Sequence, residues 1–333
     1  MTARRALIVG INGYGGPPND LRACVADADA MARVLARHKD HRKNFDCLTW
    51  LDETSDGKQI TRGALRGALI DLFGFDGDVL LYFSGHGFLT ATGGLLCTAD
   101  ATKDDWGIPM QEVVILAMQS NAREIVIVLD CCHAGDLANA PLLNTDRGSN
   151  PLAVLRENMT VIAASRAQEG ALEAGGHGLF TGALLDALEG GAADHMGFVS
   201  APALYTYASR RFTAQNQRPV FKTNSTDVFC VRECEPLINR YQLERLPELF
   251  SRADYRYQLD PEYEPEDEFG NKKGPINEAK VAIAQMLKSY RDAGLLRSSE
   301  QGLQFFWVAR QSKTVELTAR GQEYWWLVVN DKI

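Results

Sequence analysis

Residues 125–135, IVIVLDCCHAG, set the problem. Five apolar residues run without a break into an aspartate, two adjacent cysteines and a histidine. A continuous apolar run of this length suits a strand buried on both faces. The acid that follows needs a reason, because an unpaired buried charge is costly. Cysteine is among the most buried residue types, so the thiols alone decide nothing. A zinc site on Cys131, Cys132 and His133 is disfavoured, since consecutive strand residues point to opposite faces and no CxxC spacing exists. A disulfide between neighbouring cysteines would be strained.

A second stretch gives the thiols a context. Residues 78–87, DVLLYFSGHG, form another apolar strand that ends in a histidine between glycines. Adjacent strands lie ~4.8 Å apart. Side chains leaving two neighbouring parallel strands at one edge therefore meet. His86 comes within reach of Cys131 or Cys132, and an imidazole beside a thiol raises its thiolate fraction or takes its proton. Gly85 and Gly87 leave room for a substrate carbonyl. The backbone N–H of Gly87, with that of the nucleophile, can form an oxyanion hole.

Further out, apolar strands at 4–11, 45–51 and in MTVIAAS alternate with helical patterns. These lie at 21–35 (Leu21, Val25, Ala28, Met31, Leu35), in TRGALRGALIDLF, in GIPMQEVVILAMQS, in GLFTGALLDALEG and in SAPALYTYASRRF. A last strand is RPVFKT. Strands alternating with helices imply an α/β fold with a mostly parallel sheet of about six strands between two helical layers. In such sheets ligands sit at the carboxyl ends of the strands, where His86 and the cysteines fall.

The pair LLYFSGHG and VIVLDCCHAG resembles the caspase-like cysteine peptidases, in particular the metacaspase and bacterial caspase-like branch. The likeness continues in order through LRACVADADAM, AASRAQEGALE, GHGLFTGALLDAL and QRPVF, and so covers about residues 4–230. The animal caspase signature Q-A-C-x-G is absent. The resemblance implies a three-layer caspase-like fold, Cys132 as nucleophile and His86 as its base, with Cys131 on the other face of the strand. It also implies a pocket for the P1 side chain built from Asp27, Asp130 and Ser84. Two carboxylates in a slot favour a cation and hold Arg bidentately, so cleavage after Arg, with Lys second, is expected. A protein or peptide substrate with a basic P1 residue follows. Related enzymes bind calcium through aspartates after the histidine. Asp100 matches one of these, but Met110 and Gln111 stand where paired acids are expected, and Asp104 and Asp105 are displaced. Calcium wants six to eight oxygens, so activity without calcium, with no metal or other cofactor, is expected.

The resemblance also divides the peptidase domain, residues 1–234. A large-subunit part (about 1–137) and a small-subunit part (about 158–234) flank a linker (about 138–157). Arg147 in TDRGSN, and Arg156, are candidate processing sites. His177, before a helix in GGHGLF, is a minor site candidate. Composition shifts after residue 234, and 260–275 reads as a linker or flexible loop. Residues 235–333 are expected to form a smaller α+β domain with a winged-helix-like pattern. There LQFFWVAR and TVELTARGQEYWWLVV look like short strands around a helix, with Phe305, Phe306, Trp307, Trp325 and Trp326 as a small core. This region carries 14 Lys and Arg against 16 Asp and Glu, so no basic footprint supports nucleic-acid binding. A role in recruiting a protein regulator is expected instead.

Bulk properties narrow the class. The 333 residues carry a net charge of -8, 45% hydrophobic and 23% charged residues. An acidic chain is a poor general binder of phosphate backbones. No apolar run reaches the ~20 residues of a membrane span. Seven scattered cysteines suit a reducing compartment. The start, MTARRALIVGI, reads as the first strand rather than a leader, and a cytoplasmic chain is expected. The combined reading is an Arg-directed cysteine endopeptidase in a bacterial defence or cell-death-like pathway. The alternatives are a catalytically silent adaptor of the same fold and a DNA-binding regulator acting through the C-terminal domain.

Overall fold

The computed structural model describes residues 3–14, 18–52, 60–91, 93–131, 155–164, 173–174, 176–212, 219–266 and 276–333. Cys132, His133 and Arg147 lie outside the described residues. The described chain falls into two compact units, Met1–Glu235 and Pro236–Ile333.

In the first unit, β1 (Arg4–Ile11) leads into α1 (Cys24–Ala36) and β2 (Asp46–Asp52), then α2 (Arg62–Phe73) and β3 (Asp78–Ser84). Three short strands follow, β4 (Gly87–Thr90), β5 (Gly93–Cys97) and β6 (Gly107–Pro109), and then α3 (Met110–Met118) and β7 (Glu124–Asp130). Next come β8 (Met159–Ala163), the two-residue strands β9 (Glu173–Ala174) and β10 (His177–Gly178), and α4 (Leu179–Asp186). The unit closes with β11 (Phe198–Ser200), α5 (Ala201–Ser209), β12 (Val220–Asn224) and β13 (Cys230–Glu233). The central sheet has six strands in the order β12-β8-β7-β3-β1-β2. All its pairs are parallel except β12 with β8. The sheet therefore matches the expected mostly parallel α/β architecture.

Every residue of β3 is buried. Alternation sends successive side chains to opposite faces. Leu81, Phe83, Ile127 and Leu129 pack with Leu65, Leu69 and Leu72 of α2 and Val113 of α3. Leu80, Tyr82, Val126 and Val128 pack on the other face with Ala28, Met31 and Leu35 of α1, Phe180 of α4 and Leu204 of α5. Helices on both faces are why these strands read as unbroken apolar runs.

Two features of this unit depart from expectation. The helical pattern from Leu21 becomes a helix only at Cys24, because Asn12 Oδ1 accepts the N–H groups of Cys24 and Val25 (3.0 and 3.3 Å) and so caps α1 from the end of β1. The helix expected from Gly107 begins at Met110. Gly107–Pro109 instead pair with β5. Gly107 has φ 141°, and a Cβ there would lie 2.1 Å from the Leu96 carbonyl, so it is a close-approach glycine in a strand.

The second unit contains α6 (Arg240–Glu244), α7 (Leu246–Leu249), β14 (Arg256–Gln258), α8 (Glu278–Asp292), β15 (Leu296–Ser298), α9 (Phe305–Arg310), β16 (Thr314–Leu317) and α10 (Ala319–Val329). Its sheet is antiparallel, β14-β16-β15. LQFFWVAR is thus helical rather than a strand. Phe305, Val308 and Ala309 are its buried residues, at the i, i+3, i+4 spacing of a helix face. The expected aromatic core is also different. Phe305 is buried, but Trp307 and Trp326 are 43% and 54% exposed. Leu243, Leu246, Phe250, Leu287, Tyr290, Val308 and Val315 fill the interior instead. The start of the expected linker is ordered, with Asp260 capping a short turn and pairing with Lys280 at 2.5 Å. Residues 267–275 lie outside the described residues.

Candidate active site

The β3–β7 ladder pairs Asp78 with Glu124 at one end and Ser84 with Asp130 at the other. The Gly85 N–H donates to the Asp130 carbonyl at 3.4 Å, just beyond that last pair. His86 and Cys132 each lie two residues past it in sequence.

His86 is half-buried and held at three points. Its backbone N–H donates to Tyr14 Oη (2.8 Å), and its carbonyl accepts the Cys97 N–H (3.0 Å). Its ring Nε2 lies 2.7 Å from the Asn19 carbonyl oxygen. A carbonyl only accepts, so Nε2 carries the hydrogen and the neutral ring keeps its lone pair on Nδ1. The Tyr14 ring lies 4.9 Å from the His86 ring between centroids. Burial pushes the Tyr14 phenol well above its usual range, so it stays neutral. Gly85 has a more specific reason than loop freedom. A Cβ there would come within 2.8 Å of Tyr14 Oη and 2.9 Å of the Phe83 ring. Gly87 opens β4 opposite Leu96. Cys131 is fully buried in the core beside Ile127 and Leu129.

Asp27, Asp130 and Ser84 are 1%, 0% and 1% exposed. Asp27 Oδ1 accepts from His177 Nδ1 at 2.7 Å, and both its oxygens lie 3.3 Å from the Gly178 N–H. Asp130 Oδ2 accepts from Thr181 Oγ1 at 2.6 Å. Tyr82 Oη is 2.6 Å from the same Thr181 oxygen and donates to it. Ser84 Oγ is buried with no hydrogen-bond partner among the described residues. Burial pushes the Asp27 carboxyl up to about 6. The charge of Asp130 adds to the rise, and the bonds from His177 and Gly178 oppose it. Ser84 and Asp130 are thus paired at the carboxyl edge of the sheet, and Asp27 on α1 lies close enough to feel the Asp130 charge. The two acids are tied to the segment His177–Thr181.

Elsewhere, Asp100 Oδ1 accepts the Arg62 N–H and the Thr98 hydroxyl (3.0 and 2.6 Å), and Asp105 pairs with the Arg62 guanidinium at 2.6 Å. Among the described residues no group of three or more His, Cys, Asp or Glu is arranged to hold a metal. Arg156 donates to the carbonyls of Ser120 and Ala122 at 2.7 Å and of Glu157 at 3.2 Å. Among the described residues no helix is long and apolar enough to cross a membrane.

A family profile described as a caspase domain matches residues 3–230. The chain belongs to the caspase domain family. Its relatives include Metacaspase-1B of Aspergillus fumigatus, 26% identical over 202 residues, which covers 56% of this chain and 47% of that protein. Metacaspase-1B of Aspergillus clavatus is 24% identical over 234 residues (65% and 52%), and Metacaspase-1 of Scheffersomyces stipitis 25% over 166 (44% and 39%). The chain spans about half the length of the curated relatives it matches, or less. The caspase domain thus accounts for the first unit, and the second lies beyond the match.

Sequence reasoning missed Tyr14, Asn19 and Thr181 and gave His177 little weight. NGYGG after β1 carried a signal, because an aromatic between glycines at a strand's carboxyl end is placed to reach the site.

Proposed function

We propose that this caspase domain is a cysteine endopeptidase that cleaves protein substrates after Arg, and after Lys second. The observation that carries the reading is the carboxyl edge of β3 and β7. There His86 is oriented by the Asn19 carbonyl, next to a buried pair of carboxylates and an unsatisfied serine hydroxyl. His86 Nδ1 takes the proton of the Cys132 thiol, and the thiolate attacks the scissile carbonyl. The N–H groups of Gly87 and Cys132 receive the oxyanion. The imidazolium then protonates the leaving amine, and water, deprotonated by His86, releases the acyl group. Asp27, Asp130 and Ser84 receive the P1 guanidinium.

Activity without calcium is part of the proposal, supported by the prior engagement of Asp100 and Asp105 with Arg62. Self-processing is assigned to Arg147, since the carbonyl bonds of Arg156 tie it down. The second unit, a winged-helix-like module in sequence pattern, recruits a protein regulator, and exposed Trp307 and Trp326 suit that role. The setting inferred is a cytoplasmic defence or cell-death-like pathway. The test compares wild type with Cys132→Ala on fluorogenic peptides ending in Arg, Lys or Asp, with calcium and with chelator. Arg cleavage that is lost in the variant and indifferent to chelator supports the reading. Cleavage after Asp, or no alkylation of Cys132 by iodoacetamide, sinks it in favour of another specificity or an adaptor.

A further inference from the structure

The segment His177–Thr181 touches both acids of the proposed pocket. His177 Nδ1 is 2.7 Å from Asp27 Oδ1, the Gly178 N–H bridges both Asp27 oxygens at 3.3 Å, and Thr181 Oγ1 donates to Asp130. The His177 side chain is 31% exposed and that of Asp27 2%. The imidazole therefore stands between a buried carboxylate and solvent. Among the described residues, the other titratable groups here are Asp130 on β7, which acts on Asp27, and Tyr82 on β3, with Cys24 of α1 beside Tyr82. None of these can be a cation. Among the described residues His177 is the side chain paired with Asp27 that can carry positive charge.

We propose that His177 is a specificity-determining residue of the acidic pocket, the resident partner of Asp27 between substrates, and that it hands this carboxylate over to the basic P1 side chain. The inference rests on the assignment of Asp27 and Asp130 to substrate binding. Two buried carboxylates at neighbouring sites cannot both stay ionised without compensation. Burial and Asp130 push Asp27 up to about 6, and the His177 bond is the first influence holding it down. Without the imidazole, Asp27 takes up a proton closer to neutral pH. The pocket then presents one charge instead of two to an incoming guanidinium. His177 acts on substrate capture and not on the bonds that break, so KM carries its effect and kcat does not.

The test uses the full chain with an Arg peptide from about pH 5.5 to about pH 8.5, comparing wild type, His177→Ala and His177→Asn. His177→Ala is expected to raise KM about eightfold near pH 5.5, narrowing to about twofold at neutral pH, and to change kcat less than about twofold, with the acid limb of kcat/KM moving up by about one pH unit. His177→Asn, which restores an N–H donor, recovers most of the KM. Carboxyl NMR of Asp27 in a Cys132→Ala background reports the same shift without turnover. An unmoved Asp27 titration overturns the proposal. So does an acid limb that moves to lower pH, which would make the imidazole a mere competitor of substrate. Wild type that ignores Arg and Lys peptides overturns the specificity reading and the handover together. Wild type that cleaves them, with an unchanged His177→Ala profile, overturns the handover alone.

Discussion

The two ends of the β3–β7 pair each bury an acid and solve the problem differently. At the amino end, Asp78 is fully buried, and two guanidiniums reach it: Arg4 at 3.2 Å and Arg123 through two bonds of 2.8 Å. Arg4 also donates to Asn44, itself bonded to the Val231 carbonyl. That cluster is closed, since the chain supplies its own cations. At the carboxyl end, Asp27 is as deeply buried, but its partners among the described residues are an imidazole and a backbone N–H. A raised carboxyl alone does not mark the difference. Glu124 at the amino end is also pushed up, to about 7, by burial and the charge of Asp78. What separates the ends, among the described residues, is whether a guanidinium reaches the acid. On the proposed reading, the acids of the carboxyl end take the substrate's guanidinium instead.

The comparison breaks most visibly at His86. His86→Ala is expected to lower kcat/KM on an Arg peptide by about a thousandfold or more, while Tm shifts by less than about 2 °C. A large Tm loss would make this edge structural, like the other. The next effect is reversed. Asp78→Asn strips charge from two guanidinium contacts, and chemical denaturation should register a loss of about 2–3 kcal/mol. That is well below the full cost of breaking a buried pair, because the Arg123 side chain is 55% exposed and regains water. Specific activity per folded molecule should stay within about twofold.

Asp27→Asn separates the ends more finely. A carboxyl whose folded value lies above its unfolded one binds more protons in the native state. Stability then falls as pH rises from its ordinary 3.8 through about 6. At neutral pH the ionised Asp27 is a cost to the fold. Asp27→Asn should therefore raise stability at pH ~7 by about 1–2 kcal/mol and flatten the pH dependence in that window. It should also raise the KM for Arg peptides by about thirtyfold. Urea titrations at several pH values check the first, and steady-state kinetics the second. A variant that loses both stability and activity would place Asp27 among the structural acids.

Much of this was legible in the chain. The strands of the central sheet were readable because burial on both faces writes uninterrupted apolar runs, as at 79–83 and 125–129. The small β4-β5-β6 sheet was not, since its strands are three to five residues long and punctuated by glycine. α9 was misread because a six-residue helix rich in aromatics has the composition of a strand. His86 and Asp130 stood out at strand ends, and Asp27 and Ser84 only through the family resemblance. Tyr14, Asn19 and Thr181 act across 72, 67 and 51 residues of sequence. Their roles come from the close approach of loop and strand, which no local pattern encodes.

Tyr14→Phe gives the smallest effect and the most specific one. The substitution keeps the ring 4.9 Å from His86 and removes only the oxygen that accepts the His86 N–H. The site is part-buried, so water restores that bond incompletely, and about 1 kcal/mol of stability is at stake. The mutation leaves the Asn19 contact and the acids untouched. Substrate binding should therefore be unchanged, and the backbone carrying the base should loosen. A fall in kcat of about three- to tenfold with KM constant is expected. Stopped-flow acylation should show the same ratio, and a change confined to KM would instead tie Tyr14 to the pocket. The amino edge offers the matched control. Ser120 donates its hydroxyl to the Phe73 carbonyl at 2.5 Å and accepts the Ala122 N–H at 3.0 Å. Ser120→Ala removes a comparable hydroxyl and should cost similar stability while leaving kcat alone. If both substitutions lower kcat alike, the edges are not distinct, and Tyr14 is only one more packing residue.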